Sequence, residues 1–507
     1  MNGRYLTGRE FKEALYAEDE DDVRDYINPD LQSSDEESDD DQGEQQNRFC
    51  QETENNSLST SNIQSEQHES SEEIMDEESD EESSSTEENS DSTARRRPRP
   101  KAVINQVNSD MISASGLTWK SDPIARRRQI AANVMREAPG LKNGVNPKTP
   151  LEAIRLFFDD DTIEFISQYI RKRNSPLSFE REEILGYIGF LITAGAYKQN
   201  KDLLIDLFNE GNLPIYRATF SDYRFQLLQK CIRFDDKTTR DVHKEYDNFA
   251  AARDIWERVT GKFPDFLVPS ESVVIDEELI TFHGRCKFRL YIPIKPGKYG
   301  IKANVLCDSE NYYCFAAEPY AGKVINQPKD YNSGPEVVKR LVELAKWQNS
   351  GRNITMERKF TSVLTANASL EQNLTVVGTI MSNRKDVLPE LRPQSLKHAT
   401  PGTIRFAFRD REILVSYIPK KKKVVTALSI QHHIMQVKND KPEIFLYYNS
   451  TKTGVDMLGK CVRAYSCRRS TRRRPIAVFF NMIDIVAYNS YILFIKANEN
   501  WARENPK

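Results

Sequence analysis

Between Pro150 and about Pro264, apolar residues return every three or four positions: Leu151, Ile154, Leu156 and Phe157, then Ile163, Phe165, Ile166, Tyr169 and Ile170, then Ile184, Leu185, Ile188 and Leu191. That spacing predicts helices with one buried face. The stretch from Asp222 through Phe225, Leu228, Cys231 and Ile232 continues it and breaks at Arg233-Phe234-Asp235-Asp236-Lys237. Beyond Pro264 the period shortens. Residues 272–276, 287–293, 301–307 and 311–317 are short runs rich in Val, Ile, Phe and Tyr, bounded by Gly, Pro or charged turns, and read as strands. Gly334 to Trp347 is an amphipathic helix with Val337, Val338, Leu341, Val342 and Leu344 on its buried face, and Asn353 to Met356 is one more strand. Residues 403–408, 413–418 and 424–428 make the segment 386–442 β-rich, and a last helix runs from Ile476 to Lys496. Antiparallel strands, a helix and a parallel strand in that order predict an α/β protein.

Residues 18–92 break every periodicity. They are Glu, Asp, Ser, Asn and Gln with almost no aromatic or branched side chain, too little apolar surface to offset the entropy of ordering, and are expected to be a disordered acidic tail. Ser33, Ser34 and Ser38 lie among acids, so that phosphorylation there would deepen the charge. The whole chain of 507 residues has 76 acidic and 72 basic side chains, but its first hundred residues hold 31 acidic and 9 basic, leaving 45 and 63. The near-neutral total therefore hides an acidic tail and a body with an excess of 18 cations, which favours a polyanionic partner. The sign reverses at Arg95-Arg96-Arg97-Pro98-Arg99-Pro100-Lys101, followed by Arg126-Arg127-Arg128, clusters that read as nuclear import or nucleic-acid contact. No apolar leader and no uninterrupted apolar stretch of spanning length is evident, so no membrane association is expected. The seven cysteines form no Cys-x-x-Cys pair, and neither a disulfide framework nor a zinc module is expected.

Candidate chemistry begins at Asp276, which follows the apolar run Ser272-Val273-Val274-Ile275 and reads as an acid at a strand tip. A cation-rich phrase comes after it, Phe282-His283-Gly284-Arg285-Cys286-Lys287-Phe288-Arg289-Leu290-Tyr291-Ile292-Pro293, then Lys295-Pro296-Gly297-Lys298-Tyr299-Gly300-Ile301-Lys302. Further on stand Asn353-Ile354-Thr355-Met356-Glu357-Arg358-Lys359-Phe360-Thr361-Ser362 and Tyr447-Tyr448-Asn449-Ser450-Thr451-Lys452-Thr453-Gly454-Val455-Asp456-Met457-Leu458. In wording and order these phrases resemble the catalytic core of piggyBac-type DNA transposases, over about residues 117–496.

The resemblance implies a ribonuclease H-like core in which three carboxylates, here Asp276, Glu357 and Asp456, hold two Mg²⁺ ions and act on DNA. Asp456 would ride on a helix begun by Thr451 or Thr453 as a cap. The chain departs from the family pattern at Glu357, where the family has aspartate; the extra methylene moves the oxygens by more than the roughly 0.5 Å that a catalytic constellation tolerates. Gly459 replaces a further aspartate, Arg474 a tryptophan and His283 an arginine. The cysteine-rich zinc module that related transposases carry after the core is not expected here, and no zinc with it.

Two basic regions complete the picture. Arg285, Lys295 and Lys298 follow the first acid, and Lys460, Arg463, Arg468, Arg469, Arg472, Arg473 and Arg474 follow the third; both sets are candidate phosphate contacts, which position a protein without reading sequence. Lys420-Lys421-Lys422-Lys423 is a candidate hairpin tip. The expected organisation is an acidic tail over 1–116, a helical dimerisation or DNA-binding domain over 117–265, the first part of the core over 266–385, the β-rich insertion over 386–442 and the rest of the core over 443–507. The expectation is a nuclear DNA-binding protein of transposase descent with weak or no cleavage, the alternative an active Mg²⁺-dependent transposase at TTAA sites. DNA, a second copy of the chain, and chromatin proteins drawn by the acidic tail are the partners considered.

Overall fold

The computed structural model describes residues 101–104, 111–123, 134–171, 178–323 and 327–504. The acidic tail, its candidate phosphorylation sites, the cluster from Arg95 to Pro100 and the triplet Arg126 to Arg128 lie outside the described residues.

The helical layer forms as the periodicity predicts. Helix α1 (Pro150–Arg155) starts where Pro150 presets the first turn and the Thr149 hydroxyl accepts from the Glu152 amide. It leads into α2 (Asp160–Arg171). Helix α3 (Arg181–Ala196) opens on a reciprocal box in which the Glu183 carboxylate accepts from the Glu180 amide. Then come α4 (Asp222–Cys231), capped by Ser221, and α5 (Ala250–Thr260). Among the described residues of the segment preceding this layer, the elements are short strands. Met111–Ile112 and Thr118–Trp119 form a small antiparallel pair, Lys120 bridges to Phe408, and Trp119 is fully buried.

One ten-stranded sheet makes the centre. Its strands are β1 (Val103–Ile104), β2 (Ser272–Thr281), β3 (Leu290–Tyr291), β4 (Tyr299–Asp308), β5 (Cys314–Pro319), β6 (Asn353–Met356), β7 (Thr375–Thr379), β8 (Thr403–Arg409), β9 (Glu412–Lys420) and β10 (Lys423–Ser429). The spatial order is β1-β8-β9-β10-β7-β6-β2-β4-β3, with β5 also against β4. β2, β6 and β7 are mutually parallel, and β4 and β5 continue antiparallel from β2. Helix α6 (Gly334–Leu344) connects β5 to β6, and α7 (Val363–Glu371) connects β6 to β7.

The run 287–293 keeps only Leu290–Tyr291 in the sheet, because Pro293 and Pro296 cannot donate to a ladder. The run 311–317 starts late, at Cys314, after a turn in which the buried Asp308 carboxylate accepts from the amides of Glu310 and Asn311. The three strands of segment 386–442 extend the central sheet, Ser429 of β10 pairing with Val377 of β7, and cover a second apolar cluster with Phe406, Val415, Tyr417 and Phe445. The lysine run is a hairpin tip with Lys422 at φ +67° and all four lysines exposed.

The chain then passes through α8 (Glu443–Thr451) and α9 (Gly454–Ala464) to α10 (Arg474–Ala497). By length and composition α10 could cross a membrane, contrary to the expectation that no such segment exists. Instead it is the central core helix, packed on α1, α3, α5, α9 and β2. An all-round apolar helix must be buried somewhere, and here the protein's own elements cover it. Its Asn489 amide satisfies both backbone groups of Cys314, at 2.9 and 2.8 Å, which locks the helix onto the sheet.

Candidate active site at the end of a parallel strand pair

Asp276 is not at a strand tip. It lies mid-way along β2, opposite Val305 of β4, and β2 continues to Thr281. What ends here is the neighbouring strand: Ile275 pairs with Met356, the last residue of β6, so Asp276 and Glu357 are successive continuations of one register. The chain turns sharply at Glu357, whose carbonyl accepts from the amides of Phe360 and Thr361 at 3.0 and 3.1 Å and from the Thr361 hydroxyl at 3.0 Å. Ser362 then caps α7 by accepting from the Thr365 amide at 3.0 Å. The Phe360-Thr361-Ser362 phrase thus makes the turn that presents residue 357, and the Glu357 side chain is exposed there.

A buried polar network fixes the third element against these two. The Asn353 amide donates to the hydroxyls of Ser272 and Thr355, both at 3.2 Å, and Thr355 shares a 2.7 Å hydrogen bond with Thr451 at the end of α8. The Thr451 hydroxyl also donates to the Tyr447 carbonyl, so Thr451 closes α8 instead of opening the next helix. Thr453 occupies the cap position of α9 but makes no side-chain capping bond. What seats α9 is Gly454: a Cβ there would fall 2.4 Å from Val274 Cγ1 and 2.8 Å from the Asp308 carbonyl. Two residues on, Asp456 faces the cleft, with its carboxylate 3.0 Å from Lys295 Nζ.

The electrostatics join the three acids. Burial pushes the Asp276 carboxyl up to about 7; the charge of Glu357 adds to this, Lys295 opposes it, and Asp456 adds a smaller push. Tyr448, a residue to which the sequence reading assigned no role, senses all three. Burial raises its phenol, Glu357 raises it further, and Asp276 and Asp456 contribute. Beside Asp276, Glu278 is buried and pushed up for the same reason, although an Asn481 hydrogen bond of 2.9 Å and the charges of Arg463 and Lys295 favour its ionised form.

Carboxylate oxygens suit a hard divalent cation such as Mg²⁺, which keeps several waters and needs only one or two protein carboxylates. Asp276, Glu357 and Asp456 fit that mode of binding. They do not form a closed cage: among the described residues no three His, Cys, Asp or Glu side chains gather tightly enough to hold an ion by themselves.

The candidate cations divide. Arg285, Lys298, Lys460, Arg463 and Arg472 are exposed. Lys295 is turned inward to Asp456, drawn by the carboxylates. Arg469 is buried and donates to the Asp202 carbonyl at 2.7 Å. Arg473 donates to the carbonyls of Gln229, Lys230 and Ile232, the unsatisfied C-terminal end of α4. Arg468 is half-buried near Asp484, and the Arg474 guanidinium sits 5.1 Å from the centre of the Phe288 ring. The set of candidate cations that face outward is therefore smaller than the run of arginines suggests, because Arg469 and Arg473 are committed to backbone carbonyls.

Residues 149–491 match a family model described as Transposase IS4, of the piggyBac-type DDE kind. This chain belongs to the piggyBac-type transposase family. The human PiggyBac transposable element-derived protein 3 is 21% identical over 339 residues, which is 63% of this chain and 56% of that protein. The human Chimeric ERCC6-PGBD3 protein is also 21% identical over 339 residues, 63% of this chain and 32% of its own length. The chain thus spans about half of the first relative and a third of the second. A cryo-EM structure of a piggyBac transposase synaptic complex with hairpin DNA superposes with a TM-score of 0.66 at 33% identity, covering 72% of this chain and 79% of that one. The core is accordingly the ribonuclease H-like fold of piggyBac transposases, and proteins of this DDE family generally use divalent metal ions.

Relative to the piggyBac pattern, two of the four departures, Glu357 and Gly459, lie at the cleft. Glu357 is one of its three acids. Gly459 is one helical turn beyond Asp456, where a Cβ would meet only Arg463 Nη1, at 3.4 Å, so the missing carboxylate leaves open space under a guanidinium. Arg474 stacks on Phe288, and His283 is exposed at the head of the loop that carries Lys295.

Proposed function

We propose that this chain is a transposase-derived nuclear protein that binds DNA and cuts it weakly or not at all. The observation that carries this reading is that the three acids share an electrostatic environment while, among the described residues, no three such side chains are gathered tightly enough to hold an ion: Glu357 has the longer side chain and is exposed, and Asp456 is engaged by Lys295. Arg463 lines the same cleft, and with Arg285, Lys298, Lys460 and Arg472 it is exposed and supplies sequence-independent phosphate attraction. The complex named in the structural neighbour's title, a transposase with hairpin DNA, supports DNA as the partner.

If a divalent ion binds, Mg²⁺ by the chemistry of the donors, Asp276, Glu357 and Asp456 would hold it, and it would supply the charge that activates an attacking oxygen at a phosphodiester. The chain's own contribution is placement. Register sets Asp276 beside Glu357, Gly454 seats Asp456, and the buried hydroxyl network keeps the three elements in contact. A nuclear site of action is read from the basic clusters in the sequence, and chromatin proteins drawn by the acidic tail and a second copy of the chain remain partners to be tested.

Retention of a carboxyl group at all three positions favours a second reading, a Mg²⁺-dependent transposase at TTAA sites. One gel assay separates the two. Labelled duplexes ending in piggyBac-like repeats and TTAA are incubated with the chain and with Asp276→Asn in Mg²⁺ or Mn²⁺. A retarded complex without nicking is expected from both. Nicking by the unmodified chain that vanishes in Asp276→Asn would establish the second reading.

A further inference from the structure

Lys295 does not behave like a surface lysine. It lies in a turn closed by its own backbone, with the Ile292 amide donating to the Lys298 carbonyl at 2.7 Å and the Lys298 amide to the Lys295 carbonyl at 2.9 Å. Lys298 takes φ +52°, and Gly297 is pressed so closely to the end of β2 that a Cβ would lie 2.4 Å from Thr281 Oγ1. From this braced turn the side chain enters the cleft, only 20% exposed, and meets Asp456 at 3.0 Å. Burial works against its charge, but Asp276, Asp456 and Glu357 outweigh that and hold the ammonium above its usual range. One cation thus answers to every acid of the candidate site, and Glu278, buried beside them, is stabilised by it too.

We propose that Lys295 is a built-in counter-ion that competes with a divalent metal for Asp456, so that the ion must displace its ammonium group before the carboxylates can bind it. The physical reason is mutual repulsion. Carboxylates gathered in a partly buried cleft raise one another's free energy unless a cation sits among them. In a site whose acids do not close into a cage, an ammonium tethered on a braced turn meets that need without the translational entropy loss of capturing a free ion, while a hydrated ion has to shed water and displace it. The proposal rests on Asp276, Glu357 and Asp456 being the ligands of a divalent ion, and is independent of whether DNA is cut.

The test is Mn²⁺ binding to the full chain without DNA, read by electron paramagnetic resonance of the free ion, for the unmodified protein, Lys295→Met, Lys295→Arg and Asp276→Asn. Lys295→Met should bind Mn²⁺ about fivefold tighter or more, the scale of one competing, partly exposed ion pair. Lys295→Arg, which keeps the charge, should stay near the unmodified value, and Asp276→Asn should abolish the binding. Equal or weaker binding by Lys295→Met, with Asp276→Asn still abolishing it, overturns the proposal and leaves the metal site intact. Binding that Asp276→Asn does not affect overturns both. Because Lys295→Met removes a stabilising cation and could unfold, a second measurement uses the unmodified protein. With lysine labelled with ¹⁵N at the side chain and the Lys295 signal identified by its loss in Lys295→Arg, titration with Mg²⁺ should move that signal; no movement at saturating Mg²⁺ is the contrary result.

Discussion

Gly454 lies against Val274 so closely that a Cβ on the glycine would sit 2.4 Å from the valine's Cγ1. This contact joins the strand that carries Asp276 to the helix that carries Asp456. Gly454→Ala should therefore push α9 off the sheet, at a cost of about 1–3 kcal/mol by overpacking. Urea denaturation should show the loss, and Mn²⁺ binding should fall further than overall stability does.

Asp276 makes a pH prediction. Its folded value, near 7, is above the ordinary 3.8, as is that of Asp484, which burial raises to about 7 against hydrogen bonds from Ser466 and Cys467. Between these values the folded state holds protons that the unfolded state has released, so stability falls as pH rises from about 4 to 7. In metal-free buffer Asp276→Asn should flatten part of this slope and raise Tm at pH 8 by roughly a few degrees. Thermal melts across that range check it; an unchanged slope would mean that Asp276 is ionised without penalty.

Two neighbouring arginines should behave in opposite ways. Arg472 is exposed, so Arg472→Gln should leave Tm unchanged and reduce the slope of log affinity for DNA against log salt by about 1. Arg473 satisfies carbonyls at the end of α4, so Arg473→Gln should cost about 1–3 kcal/mol of stability with little change in that slope. Equilibrium binding at several salt concentrations, paired with melts, distinguishes them.

Glu357→Asp restores the family's shorter acid at an exposed position. Stability should stay within about 0.5 kcal/mol and DNA affinity should not change, while Mg²⁺-dependent nicking should rise from its low baseline. Nicking that stays flat would shift the defect elsewhere, to Gly459 or to the engagement of Asp456 by Lys295.

Much of this protein was legible along the chain because its signals are local. Period-3.6 and period-2 runs located the helices and the strands 301–307 and 353–356 to within a few residues, and the phrases around residues 276, 357 and 456 pointed to the family. The Asn353, Thr355 and Thr451 side chains of two of these phrases meet in one buried network that joins β6 to the end of α8.

What the chain alone did not disclose depends on partners distant in sequence. A run of arginines looks uniform until folding commits Arg469 and Arg473 to carbonyls more than two hundred residues away and leaves Arg472 outside. Asp276 reads as the end of a strand because the charge pattern changes there, whereas it is the parallel neighbour that ends. Lys295 reads as a phosphate contact because it stands among cations in sequence, yet in space it stands among carboxylates. Composition and period determined the elements, since backbone preference and apolar burial act over a few residues, whereas the three candidate acids were picked out by the resemblance of the phrases that carry them. Which charge faces which was decided only by tertiary structure, because Coulomb energy depends on distance and burial in space, and neither follows from order along the chain.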